Sequence, residues 1–105
     1  MSVKSQLHAC SDALMVAVRA AQRAATSQAP SLKILRACQD VIEQLEQSAT
    51  EVSVVEIEMA LNVVTQALVE LGRQQPAPTP AMLGAVRNAV DRLKRLSAEF
   101  SARRR

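Results

Sequence analysis

Four stretches of this chain repeat apolar residues at alternating spacings of four and three, and turn chemistry bounds each of them. That period belongs to one face of a 3.6-residue helix, so the chain is confined to helix-on-helix packing. In the first stretch, residues 2–27, the stripe is Val3, Leu7, Cys10, Leu14, Ala17, Ala21 and Ala24, with His8, Asp12, Arg19 and Arg23 opposite. The stripe narrows to alanine at its end, where a neighbour can come closer. The second stretch, 30–48, opens at Pro30, which suits a first turn because its missing N–H would have no intrahelical partner. Ile34, Leu35, Cys38, Val41, Ile42 and Leu45 form its inner face, while Arg36, Gln39, Asp40, Glu43, Glu46 and Gln47 are assigned to water.

Ser53 followed by Glu56 has the spacing of a capping box and starts a third helix, 53–71. Its stripe is Val54, Ile57, Leu61, Val64, Leu68 and Leu71, and Gly72 is expected to end it with a left-handed turn. Residues 73–80 alternate prolines and favour an extended linker. Thr79-Pro80 then reads as the cap and first position of a fourth helix, 80–101. Leu83, Val86, Val90, Leu93, Leu96 and Phe100 point inward there, and Arg87, Asp91, Lys94 and Arg95 outward. Short connections between consecutive helices favour antiparallel neighbours. The expected fold is therefore all-α, one domain over residues 1–105, a four-helix up-down-up-down bundle. The extended linker also permits exchange of the last helix between chains.

Composition narrows the reading further. Phe100 is the sole aromatic residue and there are two glycines, fewer of each than a β-rich fold of this size usually needs. The longest apolar run, Ala13 to Val18 between Asp12 and Arg19, is far short of the ~20 residues of a membrane span. It also lacks the flanks of a secretory signal, so a cytoplasmic setting is expected. In that setting Cys10 and Cys38 are expected to remain thiols. An antiparallel hairpin of the first two helices would separate them by roughly 13 Å along the axis, beyond the ~7 Å between Cα atoms that a disulfide tolerates.

Catalysis needs converging titratable groups, and the chain has one histidine, His8, with no tyrosine or tryptophan. No Glu-x-x-His pair, glycine-rich phosphate loop or nucleophile turn is present in the sequence. No catalytic residue, cofactor or metal is expected. Charge is divided along the chain: residues 1–72 carry five basic and eight acidic residues, net −3, and residues 73–105 carry eight and two, net +6. Arg87, Arg92, Lys94 and Arg95 are the candidates for anion contact, with nucleic acid as the alternative partner. Stacking aromatics are missing, however, and the Pro-rich connection is the wrong shape for a helix-turn-helix.

The third helix separates itself from the rest. Val55, Met59 and Val69 project opposite its core stripe, beside Asn62 and Gln66 and flanked by Glu58 and Glu70. A helix apolar on two sides requires cover on two sides. Val55, Met59, Asn62, Gln66 and Val69 are accordingly the candidate partner-binding residues. The expected function is non-enzymatic protein–protein interaction, as a small adaptor, regulator or chaperone-like subunit, with a homodimer as its simplest form.

Overall fold

A computed structural model describes residues 3–23, 29–48, 52–75 and 77–103. Each periodic stretch is an α-helix: α1 (Val3–Arg23), α2 (Ala29–Gln47), α3 (Val54–Gly72) and α4 (Pro80–Arg103). Ser2, residues 24–27 and Pro76, which belong to the expected first helix and linker, lie outside the described residues, as do Arg104 and Arg105. Among the described residues no helix is long and apolar enough to cross a membrane.

The helices surround one core. Consecutive helices pack on one another, and α4 returns to pack on α1, so that α1 faces α2 and α4 while α3 faces the same two. The α1–α4 pairing is the most extensive and the α2–α3 pairing the sparsest. Contacts fix the levels along the helices: Gln6 near the start of α1 reaches Glu99 near the end of α4, and the Cys10 thiol meets the Ala89 carbonyl at 3.7 Å. His8 similarly approaches Glu46 of α2, while Met15 lies against Gln39.

The core is made from the predicted stripes, supplemented by small residues on their flanks. Leu7, Leu14, Leu35, Ile42, Ile57, Leu71, Leu93 and Leu96 are buried, and Ala13, Ala60, Ala67 and Ala89 fill the narrower places between them. Two assignments require correction. In α4 the inward residue of the first turn is Met82, fully buried, whereas Leu83 is half-buried. Met82 stands four residues before Val86 and eleven before Leu93, in phase with the buried face, and Leu83 lies about 100° out of that phase. Gln39, assigned to water, is buried on the α1 side of α2 and donates to the Met15 sulfur at 3.8 Å.

Helix ends follow their caps. Thr79 Oγ1 accepts from the Met82 N–H at 3.3 Å, with Pro80 as the first helical residue. Ser53 Oγ accepts from the Glu56 N–H at 3.3 Å, and the same hydroxyl donates to Glu56 Oε1 at 3.5 Å. The Glu56 carboxylate thus engages the hydroxyl, where a full capping box would send it to the Ser53 N–H. Gly72 does not supply the expected left-handed turn. The helix closes through Arg73, at φ −95° and ψ −8°, whose N–H donates to the Glu70 carbonyl at 3.0 Å, followed by Gln74 to Leu71 at 3.2 Å. Such i→i−3 closure satisfies the last carbonyls without positive φ.

Candidate protein interaction face

The sparse pairing of α2 with α3 leaves an open apolar seam between them. One groove of about 470 Å³ is lined by Ile34, Ala37 and Cys38 of α2 and by Asn62, Val63 and Ala67 of α3, with Lys33, Gln66 and Glu70 at its rim. A second, of about 370 Å³, continues along the same seam between Val41, Gln44 and Leu45 on one side and Met59, Ala60 and Val63 on the other, with Glu56 and Ser48 at its edge. Val63 borders both. Ala60 and Ala67, both buried, are the smallest of the α3 residues that line the seam.

Beside the seam rises the outer ridge of α3. Val55 is 56% exposed, Met59 64%, Val63 40% and Val69 46%. Asn62 and Gln66 are exposed between them and also border the seam. The five candidate partner-binding residues therefore stand together on one accessible face. Val63 and the α2 side of the seam (Ile34, Ala37, Val41) were not among them. Val63 had a signal in the sequence: adjacent Val63 and Val64 lie 100° apart on a helix, so with Val64 on the core stripe Val63 must turn towards a neighbour or solvent.

The candidate anion-binding residues do not form one cluster. Arg87, Lys94 and Arg95 are exposed on α4, interleaved with the exposed carboxylates of Asp91 and Glu99. Arg92 turns towards α1. Its Nε is buried without a hydrogen-bond partner among the described residues, and it shares a small cleft with Gln6, Arg95 and Glu99. Glu99 already accepts from Gln6 Nε2 at 3.0 Å there, which places a carboxylate where an anion would sit.

Titratable groups elsewhere are dispersed. Among the described residues, no three His, Cys, Asp or Glu side chains are arranged to hold a metal ion. His8 is exposed, 3.7 Å from Asp12 and 3.6 Å from Glu46. Cys10 and Cys38 are free and buried. Burial pushes both thiols up to about 11; the Arg92 guanidinium partly opposes this at Cys10, and the Glu70 carboxylate adds to it at Cys38. Thiols held this far above neutrality are poor nucleophiles.

No family model, curated protein or solved structure matches this chain. The functional reading therefore rests on the face itself.

Proposed function

We propose that the protein is a non-enzymatic interaction module, an adaptor, regulator or chaperone-like subunit that acts by burying the α2–α3 face against another protein. One observation carries the reading: the exposed ridge of Val55, Met59 and Val69 adjoins an open apolar seam, so a single partner surface can bury both. Contiguous exposed apolar surface rimmed by polar residues is the form that protein contact sites take. The topology that goes with it is up-down-up-down. Its support is the opposed levels of Gln6 with Glu99, Cys10 with Ala89, and His8 with Glu46. Exchange of α4 between chains is a different route to a dimer, and it would leave the α2–α3 face uncovered.

A second reading, nucleic-acid association, draws on the exposed Arg87, Lys94 and Arg95. The two readings make opposite demands on salt: phosphate contacts weaken steeply as salt rises, and apolar burial does not. The test compares wild type with Met59→Glu and Arg95→Glu in binding assays against extract of the native host, at low and high salt and with nuclease treatment. Met59→Glu is expected to abolish binding while the chain remains helical, because a desolvated, unpartnered carboxylate would cost several kcal/mol. Binding removed by nuclease or by Arg95→Glu, and retained by Met59→Glu, would overturn the interaction reading in favour of the second.

A further inference from the structure

We propose that the seam between α2 and α3 receives a basic amphipathic helix of a partner protein, with its apolar stripe in the seam and lysines or arginines along its flanks; the inference rests on the interaction reading above. Charge selects the class of occupant. From Ala37 to Gly72, the stretch that supplies most of both walls, the chain holds seven acidic residues and no lysine or arginine. Glu56 lines one groove and Glu70 the other. Asp40 is exposed on α2, three residues after Ala37 and four before Gln44, and so shares a helix face with those two seam residues. Exposed Glu58 flanks the ridge. Lys33 stands at the end of the seam where Glu70 balances it. Arg36 lies one turn before Asp40, yet among the described residues no lysine or arginine makes an ion pair with Asp40 or Glu56.

Shape selects its secondary structure. On α2 the seam runs from Ile34 to Ser48, roughly 21 Å at 1.5 Å per residue, the length of a helix of about four turns. Both walls are helices whose backbone groups bond within themselves. An extended peptide would find no strand edge there, and its own backbone donors would go unsatisfied on burial. A helix arrives with its backbone already paired. The two grooves meet at Val63, and their α3 walls centre near Gln66 and Met59. Those levels are separated by about 10 Å along the helix, the spacing of large aliphatic side chains at i and i+7 on the occupant.

The same carboxylates select against other ligands. Phosphate-bearing surfaces and acidic helices would meet Asp40 and Glu56 as like charges. Lysine and arginine on the flanks of an apolar stripe suit this rim twice over. Their aliphatic stems lie along apolar surface such as Val63 and Met59, while their charged heads remain in water beside the carboxylates. The rim amides of Gln44, Asn62 and Gln66 add carbonyl acceptors for those heads. Attraction between the two charge patterns speeds encounter, and apolar burial in the seam sets how long the complex lasts.

Two dye-labelled synthetic helices of about four turns test the assignment by fluorescence anisotropy with the full chain. They share a stripe of leucines at i, i+4, i+7 and i+11, and their flanks are lysine in one and glutamate in the other. The lysine peptide is expected to bind at least about tenfold more tightly at low salt, and to keep measurable binding at high salt. Asp40→Lys/Glu56→Gln is expected to weaken it about tenfold and to tighten the glutamate peptide. Glutamine at position 56 keeps a side chain able to serve the cap of α3, and far-UV melts check the fold of each variant. Val63→Asn, at a half-exposed position, is expected to weaken the lysine peptide as well. Asp91→Lys is the control: it makes the same charge change on the exposed side of α4 and is expected to alter affinity by less than about threefold. Equal affinities, or preference for the glutamate peptide, overturn the basic occupant, and a loss with Val63→Asn would then leave the interaction reading standing. Lysine-peptide binding that Asp91→Lys weakens and Val63→Asn does not is diffuse adsorption, and it overturns the seam as the site. Failure of both peptides to bind overturns the helical occupant, while the interaction reading is judged separately by Met59→Glu in host extract. Wild type that self-associates in sedimentation, and ceases to with Val63→Asn, puts a second copy in the seam and overturns the partner helix.

Discussion

The two methionines Met82 and Met59 offer the same truncation in opposite surroundings, and →Ala substitutions at both separate core from interface. Met82 is fully buried in the first turn of α4, among the residues that close the core. Removing three side-chain heavy atoms there takes away their transfer free energy and leaves a cavity, a loss of about 2–5 kcal/mol for Met→Ala. Against the 5–15 kcal/mol that hold a domain of this size together, that is a large share. It corresponds to a fall in Tm of about 10 °C or more, given about 4–8 °C per kcal/mol for a domain near 100 residues. Met59 is 64% exposed and gives up little buried area, so in the isolated monomer Met59→Ala is expected to change stability by less than about 0.5 kcal/mol. Its effect should emerge only where a partner covers the face, because an interface stabilises the fold by mass action. Urea unfolding followed at 222 nm is the assay; tyrosine and tryptophan are absent, so fluorescence offers no substitute. Equal losses for the two variants at the lowest concentration would refute the reasoning, since Met59 would then be covered within the monomer. A Met82→Ala loss under about 1 kcal/mol would refute the packing described for the start of α4.

Two further outcomes are expected. Both thiols titrate at about 11 in the fold against 9.0 without it, so the folded state favours the neutral form. Their contribution is complete below pH 9 and is lost as pH rises from about 9 to about 11, by about 2–3 kcal/mol per thiol; urea midpoints across that window under reducing conditions should fall more steeply for wild type than for Cys10→Ala/Cys38→Ala, and equal slopes would contradict the assignment. Gly84 is exposed within α4 and a Cβ there would meet nothing within 4 Å, so Gly84→Ala should raise stability by about 0.5–1 kcal/mol, and a lowered Tm would show that the position is more constrained than its surroundings indicate.

What the sequence made legible was phase. Leu7, Cys10 and Leu14, or Ile57, Val64 and Leu71, recur at helical spacing and are buried together, because on a helix the angular position of a side chain depends on residue count alone. The errors came where a second influence competed with phase. Leu83 and Met82 are adjacent and both apolar: Leu83 stands seven residues before buried Val90 and so competes with Met82, whose phase matches Val86 and Leu93. Gln39 is polar by composition yet sits in phase with the α1 contact, where Met15 provides a soft acceptor. Gly72 was read by its usual role at helix ends, but closure through i→i−3 bonds at Arg73 and Gln74 made that conformation unnecessary.

The proposed interaction face was half legible for a related reason. A helical wheel shows that Val55, Met59 and Val69 oppose the stripe of α3, so the ridge could be named from residue order. The seam beside it could not, because its existence depends on how far α3 stands from α2. Ala60, Ala67 and Ala37 are small enough for either of two outcomes, a close helix pair that buries them mutually or a wider one that leaves grooves over them. Which occurs is decided by the other contacts. α1 pairs extensively with α4 and with α2, and those packed interfaces determine where α2 and α3 are carried. Leu35, Ile42, Ile57 and Val64 are committed to the core, and Ile34, Val41, Val63 and Met59 line the seam between α2 and α3. The same residues that make α3 look over-hydrophobic by itself are thus the walls and crest of one surface shared with α2. A partner that covered the ridge without entering the seam would leave Ile34 and Val41 in water, and for that reason the face is best described as a two-helix surface.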